Sequence, residues 1–209
     1  MAVSQDSEEL VSRHLETLAI AAREAASAAP VVHDWGQHLA AVFAAGGKLL
    51  ACGNGGSAAE AQHLTGELLG RFREERRPLP AIALTADSSA VTAIVNDYGT
   101  EELFARQVQA YGRRGDVLVA LSTSGTSPNV IAAAKAGLDL GVTVWALTGP
   151  APNPLAAVAH DTLAIGSPWT ATVQECHLVA LHLLCASFDA AVLTEPARVS
   201  SSNHVQVVE

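Results

Sequence analysis

The chain has 209 residues, a formal net charge of −9, 49% hydrophobic residues and only 4% aromatic ones. That length suits one domain with helical extensions, and the Ala-, Leu- and Val-rich content supplies a sizeable core. An acidic chain with no basic stripe argues against a nucleic-acid partner, and no continuous apolar run approaches the roughly 20 residues of a membrane span.

In chain order, the acidic N-terminus lacks the basic and apolar regions of a secretory signal. Residues 8–28 and 31–46 read as two amphipathic helices, with Leu10, Val11, His14, Leu15, Leu18 and Ala19 recurring at helical spacing in the first. Pro30 separates them, and the glycines at 46–47 end the second. Strands are predicted at 48–52, 80–84, 116–121, 142–147 and 161–165. Helices are predicted at 57–70, 88–96, 101–110, 127–140, 153–159 and about 169–194. Apolar strands alternating with helices imply an α/β, three-layer αβα sandwich with a parallel sheet. Residues 1–46 then form N-terminal helices, 47–194 the α/β domain, and 195–209, after the last helix, a flexible tail. The basic cluster Arg71–Arg77 is punctuated by acids and reads as a solvated helix end. Only Lys48 and Lys135 could form a Schiff base, and neither has an evident activating neighbour. Cys52, Cys176 and Cys185 have no CxxC spacing and read as reduced thiols of a cytoplasmic protein.

Two loops have the chemistry of phosphate sites. The first strand runs into Gly53-Asn54-Gly55-Gly56-Ser57, where glycines allow a sharp turn and Ser57 could cap the following helix. The third runs into Ser122-Thr123-Ser124-Gly125-Thr126-Ser127-Pro128-Asn129, a set of hydroxyls and amides with Pro128 in the first turn of a helix. A Gly-rich turn or a Ser/Thr before a helix is also ordinary capping. Two such loops at strand C-termini in one domain point to a phosphorylated ligand. Neither is a Walker loop, and no GxGxxG fingerprint is present.

His63 and Glu67 are four residues apart on one predicted helix, a spacing that suits two ligands of one zinc ion or a surface ion pair. His182 lies in an apolar run of the last helix, where a backbone carbonyl could also satisfy it, and Gln174 lies two turns earlier. His177 points about 140° away from His182 and reads as a packing or surface residue. Gln174 and His182 are about 12 Å apart along a helix. If both bind one metal, either the helix is distorted or the ligands come from different chains.

C-G-N-G-G-S at 52–57, H-x-x-x-E-L-x-G-R at 63–71, N-D-Y-G at 96–99, S-T-S-G at 122–125 and V-Q-E-C-H-x-x-x-x-H-x-L-C at 173–185 together resemble the phosphoheptose isomerase family of SIS (sugar isomerase) proteins. The resemblance runs through about residue 193. It implies a five-stranded, flavodoxin-like parallel sheet, a homotetramer with shared active sites, and isomerisation of sedoheptulose 7-phosphate to D-glycero-D-manno-heptose 7-phosphate. It implies one zinc per subunit held by His63, Glu67, Gln174 and His182, with Glu67 and His182 as the catalytic acid/base groups. Asn54, Gly55, Gly56, Ser57, Arg71, Asn96, Asp97, Ser122, Thr123, Ser124 and Ser127 would bind substrate together with Glu67 and Gln174. The chain departs from the family at Trp169-Thr170-Ala171-Thr172-Val173, where many members carry Asp or Arg, and at Gly66, where an acid is common. Two rival readings are a non-catalytic SIS protein that binds phosphosugar or associates with a replication initiator, and an isomerase of another ketose phosphate.

Overall fold

Each of the five apolar runs forms a strand within about two residues of its expected bounds. The structure, a computed structural model, describes residues 2–193; the tail expected at 195–209 lies outside the described residues. In order, the elements are α1 (Ala2–Ala25), a 3-10 turn (Ala26–Ala28), α2 (Ala29–Ala44), β1 (Leu49–Cys52), α3 (Gly56–Leu69), β2 (Ala81–Ala83), α4 (Ser88–Tyr98) and α5 (Glu102–Tyr111). Then come β3 (Val117–Ser122), α6 (Pro128–Leu140), β4 (Thr143–Thr148), α7 (Pro154–Val158), β5 (Asp161–Ala164) and α8 (Thr170–Leu193). Pro30 does not make the break between the first two helices. It sits in the first turn of α2, where its missing N–H costs nothing, and the turn at Ala26–Ala28 separates them.

All strand pairs are parallel, in the order β2-β1-β3-β4-β5. Alternation along the strands divides the core into two layers. Leu49, Ala51, Val117, Val119, Leu121, Trp145 and Leu147 face one layer with α2, α3 and α8. Leu50, Cys52, Leu118, Ala120, Val144 and Ala146 face the other with α5 and α6. Trp35 of α2 stacks on Trp145 at 4.7 Å and donates its indole N–H to Asp161 at 2.8 Å, fixing α2 across the sheet.

By length and composition alone α8 could cross a membrane. Its packing on α1, α2 and α3, together with buried His177 and Asp189, makes it the core helix of this layer. On α1, by contrast, Leu10, Val11, Leu15 and Ile20 are each more than half exposed.

Candidate active site

The order 2-1-3-4-5 reverses direction between β1 and β3, so the crevice beyond their C-terminal ends is where such a sheet places ligands. Both Ser- and Gly-rich loops emerge there. The first turns at Asn54–Gly55 into α3, whose N-cap is Gly55 without a side-chain cap. Ser57 is therefore not the expected cap; it is buried in the first turn and bonds to Glu60. A Cβ on Gly56 would lie 2.3 Å from Nε2 of Gln174, so the Gln174 carboxamide sits where any larger residue would displace it. The Asn54 and Asn129 amides exchange two hydrogen bonds of 2.9 Å, joining the first loop to the first turn of α6.

In the second loop the hydroxyls of Ser122 and Ser127 lie 3.0 Å apart, and Thr126 donates to Ser124 Oγ at 2.9 Å. Pro128 opens α6 as expected, and the Ser127 hydroxyl is turned to Ser122 instead of capping the helix. Thr123 and Ser124 line a cavity of about 260 Å3 with Pro150, Ser167, Pro168, Thr170 and Val173. Hydroxyls at a helix N-terminus can hold an anion without a lysine or arginine.

On α3, one helical turn brings His63 and Glu67 to the same face, with Nε2 and Oε1 3.3 Å apart. His182 of α8 meets them, its Nε2 2.9 Å from that of His63. Their ligand atoms all lie within 4.8 Å of one another. Two imidazoles and a carboxylate are the donor set of open zinc sites, and deprotonating the Nε2–Nε2 contact would leave both nitrogens free to bind a cation. Phe72 stacks on the His182 ring at 5.6 Å and braces it. Gln174 stands apart from His182 along the same helix. It lies two turns up α8, against Gly56, and α8 is a continuous helix throughout.

Comparison with known proteins decides the family. The SIS-domain family profile matches residues 12–149. A phosphoheptose isomerase of Streptomyces coelicolor is 59% identical over 179 residues, covering 86% of this chain and 78% of its own. The chain belongs to the phosphoheptose isomerase family. Solved phosphoheptose isomerases from Neisseria gonorrhoeae (42% identity, TM-score 0.81) and Francisella tularensis (38%, TM-score 0.83) each match over 88% of this chain and 98% of theirs. With the family comes the enzyme class, an aldose–ketose isomerase, which sets aside the non-catalytic rival.

Arg71, Asn96 and Asp97, also expected at a phosphoheptose isomerase site, lie on exposed segments of this chain. Arg71 lies just past α3, exposed, near Glu75 and the Arg73 carbonyl. Asn96 and Asp97 are exposed in the last turn of α4, where they bond to each other at 2.8 Å. The three cysteines are buried and unpaired, and burial pushes the Cys52 and Cys185 thiols up to about 12, which leaves them inert as nucleophiles. Lys48 does have a partner, the buried carboxylate of Asp116, an ion pair that occupies its amine in the scaffold.

Sequence reading gave no role to Asn129, Phe72 or Glu60, the last of which forms a buried pair with His177 beneath the first loop. His177 is wholly buried, with Nε2 3.1 Å from the Thr148 carbonyl. A carbonyl only accepts, so Nε2 carries the proton and Nδ1 presents its lone pair to Glu60 Oε2, 3.9 Å away. Neither of those two atoms has another partner. Burial pushes the Glu60 carboxyl up to about 7 from 4.5, against the Ser57 hydrogen bond, and holds His177 down near 4 from 6.5.

These shifts oppose each other. Stability linked to Glu60 is present below its unfolded value and lost as pH rises towards 7; that linked to His177 is present above 6.5 and lost as pH falls towards 4. Between 4.5 and 6.5 the pair holds one proton in either state, on the histidine when unfolded and on the glutamate when folded. Glu60→Gln leaves the histidine term alone. Its unfolding free energy, from urea titrations, is expected to fall more steeply than the parent's as pH drops from 6.5 to 4.5, by up to about 1.4 kcal/mol per pH unit. Parallel pH profiles would contradict this sharing of a proton.

Proposed function

We propose that the chain converts D-sedoheptulose 7-phosphate to D-glycero-D-manno-heptose 7-phosphate in the cytoplasm, with one zinc ion per subunit. The convergence of His63, Glu67 and His182 carries this reading, because moving a carbonyl between C2 and C1 needs a base, an acid and stabilisation of oxygen charge. Ser122, Ser124 and Ser127, with Thr123, grip the phosphate or neighbouring hydroxyls. Asn54, Gly55, Gly56 and Ser57 line the sugar, and Arg71, Asn96 and Asp97 approach it. His182 moves hydroxyl protons during ring opening. Glu67 takes the proton from one carbon and returns it to the next, by way of an enediol. Zinc, when bound, supplies stabilisation of the developing enediolate charge.

Gln174 completes the ligand set by reaching a group in a neighbouring chain, since about 12 Å of straight helix separates it from its own chain's His182. The active unit is a homotetramer with shared sites. The exposed Leu10, Val11, Leu15 and Ile20 of α1, with Val179 and Leu183 of α8, support burial of this face between copies. The helices of 1–46 then serve the oligomer interface and 47–194 the SIS unit. A second reading, isomerisation of another ketose phosphate, draws on segment 169–173, where Trp169 is 64% exposed beside the cavity of the second loop.

The proton route is tested by running the reaction in deuterium oxide. Deuterium at C2 of the aldose is expected, since an enediol exchanges the shuttled proton with solvent. Full retention of protium from C1 of the ketose, as in a direct hydride shift, would overturn the Glu67 role.

A further inference from the structure

The acid-punctuated cluster after α3 is not the solvated helix end that its composition suggests. The helix stops at Leu69, and Arg76 folds back into the protein, its side chain only 8% exposed, as is that of its partner Asp189. Its Nε donates to Asp189 Oδ1 at 3.0 Å. Nη2 donates to the carbonyl of Glu67 at 2.7 Å and Nη1 to that of Leu68 at 3.0 Å. These are last-turn carbonyls of α3, which have no partner within the helix and favour a cation.

Asp189 follows His182 by seven residues on α8, two turns along the same face. One guanidinium is thus bonded both to the backbone of Glu67 and to the helix face that presents His182. Apolar contacts among Leu64, Leu68, Leu181 and Leu184 hold α3 against α8. Such contacts are non-directional and do not by themselves fix how far one helix slides along the other. A planar fork with directional bonds to both elements does.

We propose that Arg76 and Asp189 are positioning residues, a buried clamp that sets the axial register of α3 on α8 and so the spacing of His182 from His63 and Glu67. Its significance for turnover rests on the isomerase reading above. The test uses full-length protein with two changes: Arg76→Met with Asp189→Leu, which substitutes packed apolar groups for the ion pair, and Arg76→Lys, which keeps the charge and loses the fork.

Both variants are expected to keep native circular dichroism. Cobalt(II), added as the probe metal, should bind about tenfold more weakly or worse to the double variant, with an altered visible spectrum and kcat reduced more than KM is changed. Arg76→Lys should be intermediate. In metal-free protein, histidine-selective 15N NMR should show the His63–His182 ring contact, present at 2.9 Å, lost in the double variant.

If the double variant does not fold, Arg76→Lys decides by the same readouts. Parental cobalt affinity and spectrum together with an unchanged ring contact would overturn the clamp and leave the ion pair as scaffold only. Parent protein that neither binds cobalt nor isomerises would sink the isomerase reading alone, because the ring contact in metal-free protein still decides the clamp.

Discussion

Replacing Glu67 by Gln is expected to lower kcat by about a thousandfold while most of the zinc remains bound, within the range for loss of a general acid–base group. Gln keeps the shape of the side chain and one neutral oxygen donor, so the imidazoles of His63 and His182 and the amide oxygen still present three donors to a cation. An amide cannot take a proton from carbon. A carboxylate bound to a metal is a weaker base than a free one, which counts against Glu67 holding both duties unchanged through the cycle. The exposure of its side chain, 23%, leaves room for it to loosen when substrate arrives. Zinc content by elemental analysis and kcat measured on one preparation separate the two duties. Turnover near that of the parent would show that another group moves the carbon-bound proton.

Gly125→Ala should damage the second loop from its backbone outward. Gly125 has φ +64°, in the left-handed region, where a Cβ costs about 1–2 kcal/mol. That Cβ would also lie 2.1 Å from the side-chain carboxamide of Asn153. Asn153 cannot step aside cheaply. It is buried, accepts from the N–H of Ala156 at 2.9 Å as the cap of α7, and donates to Thr148 Oγ1 at 3.0 Å and Pro150 O at 3.2 Å. The variant is expected to lose about 2–4 kcal/mol of stability in urea unfolding. Its KM should rise at least about tenfold as the hydroxyls of Thr123 and Ser124 are displaced from the phosphate, each lost bond being worth about 1.5 kcal/mol or more when it meets a charged group. Unchanged stability and KM would mean that the loop is not held in this shape by Gly125.

The fold was legible because buried parallel strands are short continuous apolar runs, a rule that β1, β3 and β4 follow closely, while the edge strand β5 carries Asp161 and Thr162 and is partly exposed. The pairing of His63 with Glu67 was legible for the same local reason, one helical turn. Their meeting with His182, 119 residues later, is a tertiary event that no periodicity encodes, and it was reached through family resemblance. Pro30 and Ser57 misled because a proline or serine near a helix start fits more than one position of the first turn. Arg76 was hidden by its neighbours: Arg73, Glu74, Glu75 and Arg77 are exposed, and composition does not say which member of a charged run turns inward. Glu60 and His177 were unreadable because their significance lies in mutual burial. The approach of Gln174 to Gly56 left only a glycine as its trace.

The most direct test of the account is to incubate zinc-loaded, purified protein with sedoheptulose 7-phosphate, with and without a chelator, and follow aldose formation by NMR. Conversion to D-glycero-D-manno-heptose 7-phosphate is expected, stopping on chelation and returning when zinc is restored. No conversion by zinc-loaded protein, or conversion indifferent to chelation, would contradict it.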